Sequence, residues 1–133
     1  LEDEVEIADV DAQLKRRGAD DPRVALFVVS FTRTKLLRIE LYIDTGTQDE
    51  NKRIFDVLHQ QRASIEEAFG EPLSWERMDG KRASRIAVYF PGDILNLDGL
   101  PSLQVKAATA MTRFVSAVAP ALVLALAQDV VKP

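Results

Sequence analysis

Cysteine is absent from the 133-residue chain, which excludes disulfide frameworks, zinc–thiolate centres and thiol nucleophiles. The absence suits a reducing compartment, so a cytoplasmic location is expected. Histidine occurs once, at His59; a lone helical histidine reads as a surface or boundary residue. Neither Ser64 nor Ser84 has a context that would make it the nucleophile of a triad. Glycines are few and scattered. Gly46, Gly70, Gly80, Gly92 and Gly99 each stand alone in a turn signal, so no phosphate-cradling loop is present. Long apolar runs are missing too. The longest uncharged one covers residues 114–127 and contains Pro120, short of the roughly 20 residues a bilayer requires. It reads as a buried helix, and no membrane contact is expected. The acidic N-terminus lacks the basic region of a secretory leader. No cofactor and no metal are expected.

What is present is a globular composition, with 47% hydrophobic and 29% charged residues, in a length that supports one core. The chain starts at Leu1 rather than methionine, and is expected to be a single domain, 1–133, belonging to a longer protein. The formal charge of −4 is unevenly spread. Residues 1–22 hold eight acids against three bases, whereas residues 33–90 hold ten of each sign. Overall acidity is therefore a poor argument against nucleic-acid contact by the remainder.

Periodicity predicts an α+β fold: two β-hairpins in a mixed or antiparallel four-stranded sheet, linked by a long amphipathic helix and flanked by helices. In residues 3–17, Ile7, Val10 and Leu14 fall at helical spacing before Gly18, predicting a short acidic helix, with a strand around 5–7 as the competitor. Residues 24–32 and 36–44 read as strands forming the start of a core that extends to 92. Phe27, Val29 and Phe31 must share the core side with Leu37, Ile39 and Leu41. That parity requires an odd loop such as Arg33-Thr34-Lys35. Val24, Leu26 and Val28 make the first strand apolar on its other side as well, so something is expected to cover it there. The N-terminal helix, the C-terminal helix and a partner chain are the candidates.

Thr47 to Glu50 fits a capping box. The helix it opens should run to about Phe69, burying Ile54, Phe55, Leu58, Ile65 and Phe69, and stop at Gly70 before Pro72. Strands 73–78 and 82–90 are expected to pair across Asp79-Gly80, placing Leu73 opposite Ile86 and Trp75 opposite Ser84. The final segment, 100–131, reads as a helix lined by Val105, Ala108, Met111, Phe114, Val115, Val118 and Leu122, with Pro120 expected to kink or interrupt it. Its nearly all-apolar end should be buried on more than one side, by the second face of the sheet or by another copy through Phe114, Val118, Leu122 and Leu126.

Three groups of residues carry chemistry. Glu40 and Asp44 project from the same strand face as Arg38 and Tyr42, and Glu76 with Arg85 joins them if the hairpins lie side by side. A Mg²⁺-dependent nuclease needs such acids with a nearby lysine. No acid–x–Lys pair occurs, however, and an ion-paired, solvated face accounts for the same alternation. Basic residues mark both hairpin tips, Arg33, Lys35 and Arg38 on one and Lys81, Arg82 and Arg85 on the other. A helix of roughly 22 residues spans about 33 Å and would return the chain so that the third strand runs parallel to the second. The two tips then lie at opposite ends of the sheet.

The stretches Glu40-Leu-Tyr-Ile-Asp-Thr-Gly46, Asn51-Lys-Arg-Ile-Phe55, Glu71-Pro-Leu-Ser-Trp-Glu76 and Gly80-Lys-Arg-Ala-Ser-Arg-Ile86 resemble the uncharacterised bacterial domain family DUF 4268. The resemblance covers roughly residues 36–92. It implies a setting rather than an activity, because such domains often follow nuclease modules of the PD-(D/E)XK type. The leading expectation is thus a non-catalytic accessory domain beside an upstream catalytic module, contacting nucleic acid through Arg38, Tyr42, Arg82, Arg85 and Tyr89, the arginines for phosphate and the tyrosines for stacking. The rivals are a homodimerisation or protein-interaction domain using the C-terminal helix, and an enzyme using Glu40, Asp44 and Glu76.

Overall fold

A computed structural model describes residues 25–131, with side chains described as far as Ala127. The expected acidic helix at 3–17 and Val24 lie outside the described residues. The elements are β1 (Ala25–Phe31), β2 (Leu36–Ile43), α1 (Gln48–Gln60), α2 (Arg62–Phe69), β3 (Ser74–Glu76), β4 (Ser84–Pro91) and α3 (Leu100–Val131). The strands form one sheet in the order β1-β2-β4-β3, every neighbouring pair antiparallel. β3 therefore runs in the direction of β2, and the two hairpin tips lie at opposite ends of the sheet.

The first hairpin follows its alternation. Thr32 N–H donates to Leu36 O at 2.8 Å, closing a loop of Arg33, Thr34 and Lys35, and Lys35 takes the left-handed conformation such a loop needs (φ 63°). Phe27 pairs with Leu41, Val29 with Ile39 and Phe31 with Leu37. Leu37, Ile39, Leu41 and Ile43 are at most 1% exposed. All three helices pack on this side, in one apolar cluster with Ile86 and Val88 of β4. The C-terminal helix accordingly covers the same face as α1 and α2, not the second face. No helix among the described residues packs on that second face.

Several local expectations are revised. The linking helix is two helices: Gln61 leaves helical geometry (φ −104°, ψ 16°), at the middle of a run, Gln60–Ser64, in which every side chain is exposed. Without a tertiary contact, nothing holds that turn in register, while Ile54, Phe55, Leu58, Ile65 and Phe69 are buried on either side of it. The capping box does not form, because Thr47 makes no side-chain cap and Glu50 is engaged by Arg53 at 2.7 Å. Gly70 ends α2 in the left-handed conformation (φ 102°).

α3 runs through Pro120 without interruption. The proline is exposed, and the carbonyl that loses its amide partner belongs to exposed Ser116, on the solvent side of the helix. Val105 is 69% exposed rather than buried, because the first turns of α3 meet the sheet through Leu103 and through Lys106, which lies over the Phe90 ring. A Cβ at Gly92 would lie 3.0 Å from the Leu103 side chain and 3.2 Å from Leu37 Cβ, so the glycine permits that close approach. Phe114, Val118 and Leu122 are fully buried and Leu126 is 6% exposed. These side chains are used by the core and are not offered to a partner.

In the second hairpin Trp75, not Leu73, stands opposite Ile86, and Glu76 stands opposite Arg85. The two-residue offset keeps each side chain on its expected face, as the period of two demands, but it widens the turn from Asp79-Gly80 to residues 77–83. The cause lies on α1.

Candidate functional site

Five of the seven carbonyls in the 77–83 turn are held by side chains from the first half of α1. Gln48 Nε2 donates to Asp79 O at 3.0 Å, and Asn51 Nδ2 to Arg82 O at 2.9 Å. Lys52 Nζ reaches Arg77 O at 2.5 Å, Met78 O at 2.9 Å, Ala83 O at 2.7 Å and Ser84 Oγ at 2.9 Å. Asn51 is 0% and Lys52 7% exposed. Carbonyls satisfied by α1 are withdrawn from cross-strand pairing, which shortens β3 to three residues. Met78 takes a left-handed turn (φ 56°), and Arg77 forks onto Asp56 at 2.9 and 3.0 Å. Asn51 and Lys52 escaped the sequence reading. The available signal was their spacing, since they precede Ile54 and Phe55 by one helical turn and so share the core stripe.

With its carbonyls turned to α1, the loop directs side chains toward the end of the sheet. There Tyr42, Asp44, Met78, Lys81, Arg82 and Arg85 border a hollow of about 190 Å³. Arg82 grips Asp44 with both arms, Nε at 3.0 Å and Nη2 at 2.6 Å. Asp44 also caps the turn by accepting from Gly46 N–H at 2.9 Å. The guanidinium beside Asp44 holds its carboxyl below the usual range, and the carboxylate in turn raises Arg82.

From this end the polar face of the sheet runs inward as cross-strand pairs, Tyr42 with Arg85, Glu40 with Ala87 and Arg38 with Tyr89. Glu76 joins Arg85 from β3. Glu40, only 4% exposed, lies 2.5 Å from Arg38 Nε and 2.9 Å from Arg85 Nε, close in distance but misaligned for hydrogen bonding. Glu76 is better served, accepting from Tyr89 Oη at 2.7 Å, Ser74 Oγ at 2.8 Å and Arg85 Nη1 at 3.1 Å. Burial works to raise its carboxyl, and these donors outweigh burial, leaving it below the usual range. Burial likewise works against the Arg85 charge, and Glu40 and Glu76 overcome it.

All five expected nucleic-acid residues thus share one sheet face, with Arg82 at its rim. The three expected acids lie on the same face, but each is engaged by arginine. No group of three or more His, Cys, Asp or Glu that would hold a metal ion occurs among the described residues. Arg38 and Arg85 balance Glu40 and Glu76, and Arg77 balances Asp79; of the residues lining the hollow, Lys81 and Arg82 add two cations against the one acid Asp44. The excess positive charge therefore sits at the rim. The tip carrying Arg33 and Lys35 is at the far end and contributes nothing to it.

His59 lies outside this face, its ring 5.8 Å from Phe55 and 5.5 Å from Trp75. Glu66 tethers Trp75 from α2, accepting from Leu73 N–H at 2.8 Å and Trp75 Nε1 at 3.0 Å. The Leu73 amide, then the indole, hold its carboxyl below the ordinary value of 4.5. A depressed folded-state value means stability that is fully present above 4.5 and lost as pH falls through the lower one. Trp75 is the single tryptophan. Its fluorescence should stay native until pH falls below 4.5, and Glu66→Gln should remove that acid step; a wild-type change centred at or above the ordinary value would contradict the tether.

A family model described as "Domain of unknown function (DUF4268)" matches residues 24–122. The matched region reaches beyond residues 36–92 to take in β1 and most of the buried part of α3. No curated protein and no solved structure matches the chain.

Proposed function

The chain belongs to the DUF4268 domain family, and from that premise we propose that it is a non-catalytic accessory domain that contacts nucleic acid at the Lys81/Arg82 rim. The observation that carries this reading is the convergence of Lys81, Arg82, Arg85 and Tyr42 on one hollow, with the loop backbone clamped from behind. Two cations against one acid leave a local positive excess suited to a phosphodiester. Tyr42, beside the hollow, offers a ring for a base. The Arg38/Glu40/Arg85/Glu76 group is neutral and serves to fix Arg85 in place. The reading sets the domain beside a nuclease-like or DNA-modification module, which would supply the chemistry.

The test is a titration of labelled single-stranded DNA and RNA at several salt concentrations. Binding should weaken as salt rises, with a log–log slope of about −0.7 for each phosphate contacted. Lys81→Glu with Arg82→Glu should reduce affinity at least tenfold (roughly 1.4 kcal/mol) and flatten the slope. Binding that ignores salt, or a double variant that binds like the wild type, would sink the reading.

A further inference from the structure

β1 is an edge strand whose outer side pairs with no strand among the described residues. Edges of this kind are ordinarily guarded by a lysine, a proline or a bulge. Ala25–Phe31 has none of these: it reads ALFVVSF, and its register with β2 is unbroken. It is also apolar on both sides, and large side chains stand in solvent on each, with Leu26 48%, Val29 45% and Phe31 37% exposed.

The backbone groups available at this edge follow from the hairpin. Thr32 N–H is directed at β2, and direction alternates along a strand. Ser30, Val28 and Leu26 therefore also address β2, and the N–H and C=O of Ala25, Phe27, Val29 and Phe31 point outward. We propose that this edge is the interface for a second copy of the chain, pairing antiparallel about Val28. Phe27 then exchanges both bonds with Val29 of the second copy, and Ala25 with Phe31. Every outward group of the strand finds a partner.

An identical strand fits for two further reasons. The pairing is isologous, so it closes at two copies. The strand is uncharged, so a twofold opposes no like charges. On the helix side Phe27, Val29 and Phe31 meet Val29, Phe27 and Ala25 of the second copy in a continuous apolar row. A seven-residue edge buries less than the roughly 1,200 Å² of a stable interface, so the dimer is expected to dissociate on dilution. The interface is thus distinct from Phe114, Val118, Leu122 and Leu126, which the core occupies.

The chain contains no cysteine, so Val28→Cys introduces a single thiol. At the twofold, Val28 forms a non-hydrogen-bonded pair with Cα atoms about 4.5 Å apart, within disulfide reach. Under mild oxidation Val28→Cys should cross-link nearly completely, and Leu124→Cys, at an exposed position, should not. Sedimentation of the wild type should show mass rising from monomer to dimer with concentration. Val29→Lys should stay monomeric with an unchanged circular dichroism spectrum. A wild type that is monomeric throughout, or a dimer that survives Val29→Lys and leaves Val28→Cys uncross-linked, overturns the proposal.

Discussion

Lys52→Met is expected to destabilise the protein by about 3–5 kcal/mol, because several buried neutral acceptors lose their only charged donor. The ammonium is 7% exposed and serves four acceptors, three of them main-chain carbonyls that lost their ladder partners when the turn widened. Methionine keeps the apolar stem but ends one atom short and donates nothing, and each buried acceptor left unpaired costs about 1–3 kcal/mol. Ser84 Oγ, itself fully buried, can still donate to Arg77 O at 2.9 Å, which limits the damage to part of that sum. Denaturant unfolding gives the number, and amide exchange locates it. Protection should fall first at residues 77–83, whereas β2 should keep its protection until global unfolding. A loss under about 1 kcal/mol, or exchange that rises uniformly, would show that the loop holds its shape without the clamp.

Phe114→Ala should cost about as much, roughly 3–5 kcal/mol. Phe114 is 0% exposed and stands edge-on to Phe27 of β1 and Phe69 of α2, both at 5.9 Å between ring centres. It is the point at which α3 ties the edge hairpin to the α1–α2 layer. The helices around it cannot close over the vacated space without moving α3 away from β1. A fall in the thermal midpoint of roughly 10–20 °C is expected for a domain of this size. Val105→Ala, at a position 69% exposed, should change stability by no more than about 0.5 kcal/mol. The pair discriminates between a core role and an interface role for the C-terminal helix. If Phe114→Ala leaves the midpoint intact and alters only the association state, the burial of this helix within one chain is refuted.

The two hairpins show what kind of information a sequence holds. In the first, strict alternation over residues 36–44 and an apolar β1 admitted only an odd loop, and the observed register follows. Side-chain parity is a property of neighbours along the chain, so it can be read without knowing what lies across the sheet. In the second, Asp79-Gly80 is a strong local turn signal, yet Lys52 overrides it from 25 residues away. A buried ammonium with four oxygen partners outweighs the preference of a dipeptide. The break at Gln61 has the same origin in reverse, a helical pattern continuing where no tertiary contact supports it.

The candidate face is divided in the same way. Alternation placed Arg38, Glu40, Tyr42 and Asp44 together on β2, and Arg85 with Tyr89 on β4, because residues two apart share a side. That β4 lies directly against β2, so that Arg38 meets Tyr89 and Tyr42 meets Arg85, depended on where the α1–α2 layer delivers the chain. The amino-acid sequence by itself determined the class of fold, the faces of the strands, the stop at Gly70 and the apolar character of the last helix, all consequences of periods of 2 and 3.6. Only the tertiary structure decided that α3 is buried within its own chain, that Lys52 opens the second turn, and that no strand among the described residues pairs with the outer edge of β1. Each of these depends on contacts between residues far apart in sequence, whose geometry exists only once the chain has closed on itself.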